Sequence, residues 1–385
     1  MLKSTDRLQK NFSSVWATVN LATIRHNYQE IKKMTTAKIM AVVKSDAYGH
    51  GLLPIAEELV EQGVDQLAVA TVDEGLQLRQ HGIQTPILVF GNTHPADMEP
   101  LIRHDLMQAV FYDEMIDELA YRSSSIGQPA KIHLKLDTGL GRIGYPPHYP
   151  VIYQTMQRIQ QSPNVHLKGI YTQLSSAHVL DHSSVWKQSG QFISITERLE
   201  QDGFTIPDRH LANSSTFLNF PGLHLDIVRP GILLYGAFPS QDITSEALSL
   251  QPAMTVKTQV IFLKDVEAGT SIGYGSNYVV SRKSRIATLS VGFANGYNRH
   301  LTNTSSVLLH GKLAPLVGSI YMNHCTIDVT DIPQASLWDE VILFGPDHPE
   351  INITALAEQA STVNTELLSL IGSRLDKIYI DDNTN

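Results

Sequence analysis

The segment at residues 38–51, KIMAVVKSDAYGHG, joins a short apolar run to a lysine and then to a turn that contains two glycines. The apolar run predicts a buried strand that presents Lys44 at its carboxyl end. Because a desolvated lysine loses part of its preference for the ammonium form, its neutral amine can attack a carbonyl or an aldehyde. Lys44 is therefore a candidate Schiff-base lysine, and an ordinary surface lysine after a core strand is the alternative.

The residues that surround Lys44 favour the first interpretation. The run AVVKSDAYGHG resembles the pyridoxal-phosphate lysine motif of the alanine racemase family. In that family the lysine holds pyridoxal 5'-phosphate, and the tyrosine four residues later reaches the phosphate of the cofactor. The resemblance implies these two roles for Lys44 and Tyr48.

A second group of cations lies at residues 135–142, KLDTGLGR. Its glycines allow a tight turn that directs Arg142 inward from a strand end, although a plain strand-to-helix turn with two surface cations is the alternative. The segment also resembles the family signature KxDTGMGR. The resemblance implies that Arg142 holds the substrate carboxylate. It also makes Lys135 a candidate for carbamylation, which would orient that arginine.

Two further segments, HLANS at 210–214 and VRPGI at 228–232, each combine a strand end with small residues. Backbone amides of small residues can approach a phosphate, but a helix cap and a Pro-Gly turn explain each segment on its own. Together they resemble the phosphate cup of the family. The resemblance implies cofactor contacts at His210, Asn213, Ser214, Arg229, Gly231 and Ile232.

Arg229 carries a mechanistic implication within this resemblance, because it would face the pyridine nitrogen of the cofactor. A guanidinium can donate a hydrogen bond to that nitrogen but does not transfer its proton. Electron withdrawal into the ring is then weakened. Reprotonation at the α-carbon is therefore expected to be faster than transamination.

The second half of the chain contains SIGYG at 271–275, which places Tyr274 between two glycines. A β-turn tyrosine that packs locally is the alternative interpretation. The segment resembles the family motif whose tyrosine is the second catalytic base, contributed across a dimer interface. The segment VGSIYMN at 317–323 loosely resembles GRxCMD and places Met322 near the substrate carboxylate of the partner site. The resemblance therefore implies a homodimer with shared active sites.

Several positions depart from the family pattern. Gln173 replaces a histidine that usually contacts the catalytic tyrosine, and an amide can hydrogen-bond but never becomes a cation. His178 and Ser319 replace an aspartate and an arginine that pair with each other in the family. Because both partners have changed together, we interpret these changes as a remodelled corridor to the site. The other changed positions are Phe293, Tyr321, Asn323 and Ser373.

Composition narrows the class of protein further. A net charge of −9 over 385 residues argues against a nucleic-acid or anionic-membrane surface. The polar start MLKSTDRLQK and the lack of any run of about 18 apolar residues predict neither export nor a membrane span. Cys325 stands alone, so we expect no internal disulfide, no cysteine-based metal site and a reducing, cytoplasmic location.

Apolar runs alternate with helical patterns such as 52–62 and 188–199, which is typical of parallel βαβ units. Nine runs are candidate strands: 16–21, 39–44, 66–70, 86–90, 107–112, 131–136, 166–171, 208–213 and 226–231. Eight strands close a barrel, so the first run is expected to lie outside it. Later runs are shorter and rich in β-forming residues, at 255–263, 286–291, 314–317 and 341–344. The sequence predicts an N-terminal segment (1–22), an eight-stranded parallel (β/α)8 TIM-like barrel that binds the cofactor (23–245), and a mainly β C-terminal domain (246–385).

The ordered set of motifs implies a pyridoxal-phosphate racemase that interconverts L- and D-alanine and supplies D-alanine for peptidoglycan. A racemase of another small amino acid, such as serine, is left open. A basic amino-acid decarboxylase of similar architecture is less favoured, because no triple-glycine phosphate loop and no acidic-Pro-Gly-Arg signature occur. A non-catalytic carrier of the cofactor would need only the barrel and leaves Tyr274 unexplained.

Overall fold

The computed structural model describes residues 14–177, 179, 181–240 and 248–382. This part of the chain forms a nine-stranded parallel sheet, an eight-stranded, mainly antiparallel sheet and a two-stranded hairpin. His178, which the sequence analysis pairs with Ser319, lies outside the described residues. Strand β1 (Val15–Asn20) belongs to the eight-stranded sheet rather than to the parallel one.

The parallel sheet is a nearly closed barrel built from apolar runs. Its strands are β2 (Lys38–Val42), β3 (Gln66–Val69), β4 (Ile87–Val89), β5 (Met107–Val110), β6 (Ala130–Lys135), β7 (Val165–Tyr171), β8 (Arg209–His210), β9 (Ala212–Asn213) and β10 (Ile227–Arg229). They pair in the order β8, β7, β6, β5, β4, β3, β2, β10 and β9. Every residue of β3, β4 and β5 is buried, as expected for parallel strands that are covered on both faces.

The predicted eight-stranded barrel fold is confirmed, with one strand broken in two. The predicted strand at 208–213 is interrupted at Leu211, so β8 pairs with β7 while β9 pairs with β10. One segment of the chain therefore supplies both edges of the sheet and nearly closes the ring. The predicted strand at 39–44 ends early, because β2 stops at Val42. Lys44 thus lies beyond the strand, in the turn that follows it.

Amphipathic helices surround the barrel. They are α1 (Leu21–Lys33), α2 (Leu52–Glu61), α3 (Val72–Gln80), α4 (Met98–Arg103), α5 (Asp113–Ile126), α6 (Tyr149–Gln160), α7 (Ser183–Gln201) and α8 (Ser214–Asn219). On α1, buried Ile24, Tyr28 and Ile31 follow the spacing of three and four residues that gives a helix one apolar face. Within the described residues, no helix combines the length and the apolarity that crossing a membrane requires.

The second sheet is organised around the long strand β11 (Met254–Val266). This strand pairs antiparallel with β1, and β1 pairs parallel with the last strand of the sheet, so the two ends of the described chain meet there. The other strands of this sheet are β14 (Ser284–Leu289), β15 (Ser306–Leu309), β16 (Lys312–Pro315), β17 (Cys325–Asp328), β18 (Glu340–Phe344) and β19 (Asp376–Ile380). Strands β12 (Ser271–Ile272) and β13 (Tyr278–Val279) pair with each other and form the separate hairpin. Two helices, α9 (Ile353–Gln359) and α10 (Asn364–Gly372), precede β19.

Single turns of 3₁₀ helix interrupt the connections in both halves of the described chain. They lie at Pro95–Asp97, Pro221–Leu223, Ile232–Tyr235, Tyr274–Ser276, Phe293–Asn295, Arg299–Leu301 and Pro349–Ile351.

The last turn of α10 packs directly against the segment that follows Lys44. A Cβ atom added to Gly372 would lie 2.3 Å from the carbonyl oxygen of Gly49. Nearby, the Nζ of Lys377 lies 2.9 Å from a carboxylate oxygen of Asp46. The C-terminal half of the chain therefore braces the loop that carries Lys44.

This contact predicts that Gly372→Ala lowers the thermal unfolding midpoint. The added methyl collides with backbone rather than with a flexible side chain, and overpacking of this kind costs about 1–3 kcal/mol. Gly190→Ala is the matched control, since Gly190 also lies in a helix but has open space around its Cβ position. That control should raise the midpoint slightly, because alanine is favoured over glycine in a helix by about 0.5–1 kcal/mol. Equal midpoints for the two variants would contradict the proposed close contact.

Candidate active site

Lys44 opens a left-handed turn, Lys44–Tyr48, rather than ending a strand. Four consecutive residues without glycine have positive φ angles: Ser45 (55°), Asp46 (55°), Ala47 (52°) and Tyr48 (54°). Such a conformation costs about 1–2 kcal/mol per residue for L-amino acids. Strain of this size is maintained only where surrounding contacts fix the conformation, and it is concentrated at functional sites.

The turn places Lys44 and Tyr48 on the wall of one cavity of about 310 Å³. Ten of the residues proposed from the sequence line this cavity: Lys44, Tyr48, Lys135, Arg142, Gln173, Asn213, Ser214, Arg229, Gly231 and Ile232. The sequence analysis missed Phe90, Tyr171 and Thr365, which also line it. Tyr171 ends strand β7, so its strand-end position could have identified it. Thr365 comes from α10 and had no comparable signal.

The electrostatics of the cavity favour a neutral amine on Lys44. Burial lowers the pKa of Lys44, and the guanidinium of Arg142 lowers it further, while the carboxylate of Glu74 acts in the opposite direction. A neutral amine is the form that attacks an aldehyde and accepts a proton. The structure thus supplies the physical reason for the reactivity that the sequence predicts.

Lys135 is more deeply buried, with only 3% of its surface exposed. Burial lowers its pKa to about 8, and Arg142, Arg229 and Lys44 add repulsion between like charges. Its Nζ lies 5.7 Å from the centre of the Tyr171 ring. A carbamate at this position would exchange a cation for an anion among three other cations.

Arg229 is buried and held by three kinds of acceptor. Its Nη2 donates to the backbone oxygen of Thr172 and to the Oε1 of Gln173, both at 3.0 Å. Its Nη1 lies 3.0 Å from Nδ1 of His210, and Nε2 of His210 lies 2.9 Å from Nδ1 of His133. Burial lowers the pKa of Arg229 to about 10, which still leaves the guanidinium charged at neutral pH. Arg229 is therefore a fixed donor.

His210 lies behind Arg229 and is not among the residues that line the cavity. Burial, followed by the charge of Arg229, lowers the pKa of His210 well below its ordinary value. Because Nδ1 accepts from a guanidinium, the ring proton of neutral His210 is on Nε2 and points toward His133. His210 thus supports Arg229 instead of lining the cavity.

A cup of small residues lies beside the hydroxyl of Tyr48. The backbone N–H of Gly231 donates to Oγ of Ser214 at 3.0 Å. A Cβ atom at Gly231 would lie 2.5 Å from the Tyr48 oxygen, so only glycine leaves this space open. Burial raises the pKa of Tyr48 to about 12, which keeps its hydroxyl protonated as a donor. Asn213 forms part of the same wall and caps α8, with its Oδ1 accepting from the Thr216 N–H at 3.0 Å.

These features fit a phosphate together with an aldehyde. Hydroxyl groups and backbone amides at a loop bind phosphate oxygens, and a lysine of lowered pKa binds an aldehyde carbon. Arg229 supplies a donor that keeps its proton. The fold and the cavity together fit a barrel-type enzyme that binds a phosphorylated aldehyde such as pyridoxal phosphate.

The loop that carries Arg142 is shaped by Asp137, which the sequence analysis did not select. Its Oδ1 accepts from the N–H groups of Gly139, Leu140 and Gly141 at 3.0, 2.8 and 3.0 Å, and its Oδ2 accepts from that of Arg142 at 3.0 Å. Burial favours the protonated acid, but these four amides outweigh it and hold the pKa of Asp137 below its ordinary value. An anionic Asp137 therefore fixes the backbone at Arg142.

Three residues proposed from the sequence lie apart from this cavity, on the second half of the chain. Tyr274 is 81% exposed and Met322 is 60% exposed. The ring of Tyr321 meets that of Tyr274 edge-on, with their centres 5.4 Å apart. We call Tyr274, Tyr321 and Met322 the tyrosine surface. Contiguous exposed apolar side chains can form a surface that meets a partner.

One of the changed positions, Ser319, forms a neutral contact inside the protein. Ser319 is buried, and its Oγ accepts a hydrogen bond from Nδ2 of Asn277 at 2.9 Å. Phe293 and Asn323 are exposed, and Ser373 directly follows α10. A neutral Asn–Ser pair therefore lies at the position where the resemblance to the family motif implies an arginine.

Comparison with known proteins agrees with this site. The family models for the alanine racemase N-terminal and C-terminal domains match residues 19–239 and 253–379. Alanine racemase 1 of Caldanaerobacter subterraneus subsp. tengcongensis is 40% identical over 367 residues, covering 94% of each chain. The alanine racemase of Methanococcus maripaludis is 38% identical and covers 95% of this chain and 98% of its own.

Solved structures give the same result. The alanine racemase of Clostridium difficile 630 superimposes with a TM-score of 0.91 at 34% identity, over 97% of both chains. The alanine racemase of Bacillus anthracis with bound L-Ala-P has a TM-score of 0.89 at 33% identity, also over 97% of both chains. The chain belongs to the alanine racemase family, whose members use pyridoxal phosphate to interconvert L- and D-alanine. These matches do not favour the decarboxylase or carrier alternatives.

The environment of Lys135 predicts carbamylation that increases with pH. Only the neutral amine reacts with carbon dioxide, and a pKa of about 8 raises the neutral fraction from about a tenth at pH 7 to about nine-tenths at pH 9. The measurement is ¹³C NMR of the protein under a constant pressure of ¹³C-labelled carbon dioxide. A carbamate signal should grow over this range and vanish in Lys135→Met. A signal that survives this substitution would contradict the assignment.

Proposed function

We propose that the cavity around Lys44 binds pyridoxal phosphate and racemises alanine, with Lys44 as the cofactor-binding lysine and as one of two acid–base groups. The observation that carries this proposal is the environment of the Lys44 amine, half-buried beside Arg142 with a lowered pKa. A lysine whose pKa is lowered is neutral, and so able to accept a proton, at lower pH than an ordinary lysine.

The chemistry that pyridoxal phosphate supplies when bound is electron withdrawal from the α-carbon of the amino acid, which makes the α-hydrogen acidic. Tyr48, Ser214 and the backbone at Gly231 and Ile232 would hold the phosphate. Arg229, which Thr172 and Gln173 fix in place, would donate to the ring nitrogen without giving up its proton, because a pKa of about 10 keeps the guanidinium charged at neutral pH. Asn213 and His210 would support this cup and the guanidinium from behind.

The substrate would be oriented by its carboxylate. Arg142 is the candidate for this contact, because it lines the cavity and its backbone is fixed by Asp137. A carbamate on Lys135 would attract Arg142 and hold its guanidinium in one direction. Met322 of the partner subunit would close the other side of the carboxylate.

The second acid–base group would be Tyr274 of the partner subunit. Tyr274 is 81% exposed and is not among the residues that line the cavity of its own chain. A homodimer in which each tyrosine surface covers the other chain's cavity accounts for both facts. The Nζ of Lys44 and the Oη of Tyr274 would then exchange protons with opposite faces of the α-carbon.

The organisation of the chain supports these separate roles for the barrel and for the C-terminal residues. We propose an N-terminal segment (1–22), whose strand Val15–Asn20 joins the second sheet, a cofactor-binding barrel (23–245) and a mainly β domain (246–385) that supplies Tyr274. A cytoplasmic location fits a chain whose single cysteine, Cys325, forms no internal disulfide. Supply of D-alanine for peptidoglycan is the corresponding biological role.

The first functional prediction concerns Lys44. Lys44→Ala should remove both racemisation and the borohydride-stable attachment of the cofactor, with a loss of activity of at least roughly 10²–10⁴. Peptide mapping after borohydride reduction measures the attachment. A reduced adduct at another lysine would contradict the assignment of Lys44 as the cofactor-binding lysine.

A second prediction separates the two faces of the α-carbon. Tyr274→Phe should slow abstraction of the α-hydrogen from L-alanine far more than from D-alanine, because only one face loses its base. Single-turnover exchange of the α-hydrogen with solvent is the measurement. Equal losses for both enantiomers would remove the assignment of faces.

Shared sites are tested by mixing Lys44→Ala and Tyr274→Phe chains. In a heterodimer one site joins an intact Lys44 to an intact Tyr274, so an equal mixture should regain about a quarter of wild-type activity. Each variant alone is the control, and subunit exchange is verified with two affinity tags. No recovery despite proven exchange would show that each site lies within one chain.

A further prediction concerns Gln173, which accepts from Arg229 and is expected to face the tyrosine base. A charged histidine at this position would favour the phenolate and lower the tyrosine pKa, whereas an amide supplies only a hydrogen bond. We therefore expect L-to-D activity to rise toward alkaline pH and Gln173→His to move the basic-side pKa of kcat/KM downward. Gln173→Met is the control without a charge and should not lower that pKa. Matching profiles for the wild type and Gln173→His would show that this position does not tune the base.

A further inference from the structure

The carboxylate of Glu74 is surrounded by backbone N–H groups from two separate segments. Its Oε1 accepts from the N–H of Ser45 at 2.6 Å and from that of Asp46 at 3.4 Å. Its Oε2 accepts from the N–H of Ala70 at 2.8 Å and from that of Thr71 at 3.3 Å. Each oxygen thus holds one segment, and a single side chain links them.

The two segments follow neighbouring barrel strands. Ser45 and Asp46 belong to the left-handed turn after β2, and Ala70 and Thr71 join β3 to α3. Because positive φ angles disfavour this turn, acceptors for its first amides contribute directly to its persistence. Hydrogen bonds to an ionised carboxylate are about twice as strong as neutral ones.

Glu74 also contributes negative charge close to Lys44. The same carboxylate that holds the turn raises the pKa of Lys44, against the larger effect of burial and the repulsion from Arg142. The residue therefore affects both the direction of the Lys44 side chain and its protonation.

We propose that Glu74 is a positioning residue for the cofactor-binding lysine: it holds the left-handed turn so that Lys44 and Tyr48 both face the cavity. This inference rests on the proposed role of Lys44. Glu74 itself is not among the residues that line the cavity. It acts through the backbone of Ser45 and Asp46.

The test compares Glu74→Gln with Thr71→Ala. A glutamine keeps one acceptor oxygen but presents an NH₂ group to the other pair of amides, so at least one segment loses its acceptor. Thr71→Ala removes the bond from the Glu74 N–H to the threonine hydroxyl, 3.3 Å long, at the same helix start. That control weakens the cap of α3 but leaves the carboxylate in place.

The assay measures how fast added pyridoxal phosphate attaches to the apoprotein at different pH values. The amine of Lys44 joins the aldehyde with loss of one water, and hydride from borohydride fixes the adduct for mass spectrometry at the peptide level. For Glu74→Gln we expect a rate at least about tenfold lower and a midpoint of the pH profile shifted to lower pH, with Thr71→Ala near wild type.

The direction of the shift excludes a merely structural effect. Loss of the carboxylate charge beside Lys44 moves the midpoint downward, whereas a variant that merely folds less well leaves the midpoint of its folded fraction unchanged. An unchanged midpoint, or equal losses of rate in the two variants, would overturn the inference. No adduct at Lys44 in the wild type would instead overturn the proposed function, and this inference with it.

A second measurement uses the wild-type protein and needs no variant. Ser45 is exposed, yet its amide hydrogen should exchange slowly with solvent because Glu74 accepts it at 2.6 Å. Hydrogen exchange followed by NMR measures this protection. Rapid exchange of the Ser45 and Asp46 amides in the folded protein would also contradict the inference.

Discussion

The left-handed turn at Lys44–Tyr48 is the constraint on which the site depends. Four residues with positive φ angles oppose folding by several kcal/mol in total, since each costs about 1–2 kcal/mol. Three contacts offset this strain: the Glu74 carboxylate on one side, the ion pair of Asp46 with Lys377 on the other, and the close packing of Gly372 on Gly49. The barrel and the second domain therefore act together to present one lysine.

The same geometry explains the charge distribution in the cavity. Lys44, Lys135, Arg142 and Arg229 face a common space, and their mutual repulsion together with burial lowers the pKa of both lysines. Such a cavity attracts anions, and the phosphate of the cofactor and the carboxylate of an amino acid are the two anions of the family reaction. Binding these anions reduces the repulsion, so the cavity is electrostatically complementary to its ligands.

Much of this arrangement could be predicted from the sequence, because the relevant signals are local. Buried apolar runs predict the barrel strands. Lys44 and Tyr48 lie four residues apart in one turn, so the two side chains stay together wherever that turn lies. The left-handed conformation could not be predicted, since three of its four residues, Ser45, Ala47 and Tyr48, are of types that rarely adopt positive φ angles. For a related reason, the role of Glu74 was not predicted, and His210 was expected at the cofactor rather than behind Arg229. Each acts on a segment distant along the chain, so no fixed spacing reveals the contact.

An alanine racemase exchanges the α-hydrogen of alanine with solvent and inverts its configuration. This reaction is measured by incubating the purified protein with pyridoxal phosphate and single L-amino acids in deuterated water, then resolving the products by chiral chromatography and mass spectrometry. We expect D-alanine from L-alanine, with one deuterium on the α-carbon and no loss of the carboxylate. Formation of an amine by decarboxylation, or recovery of L-alanine without deuterium, would contradict this expectation.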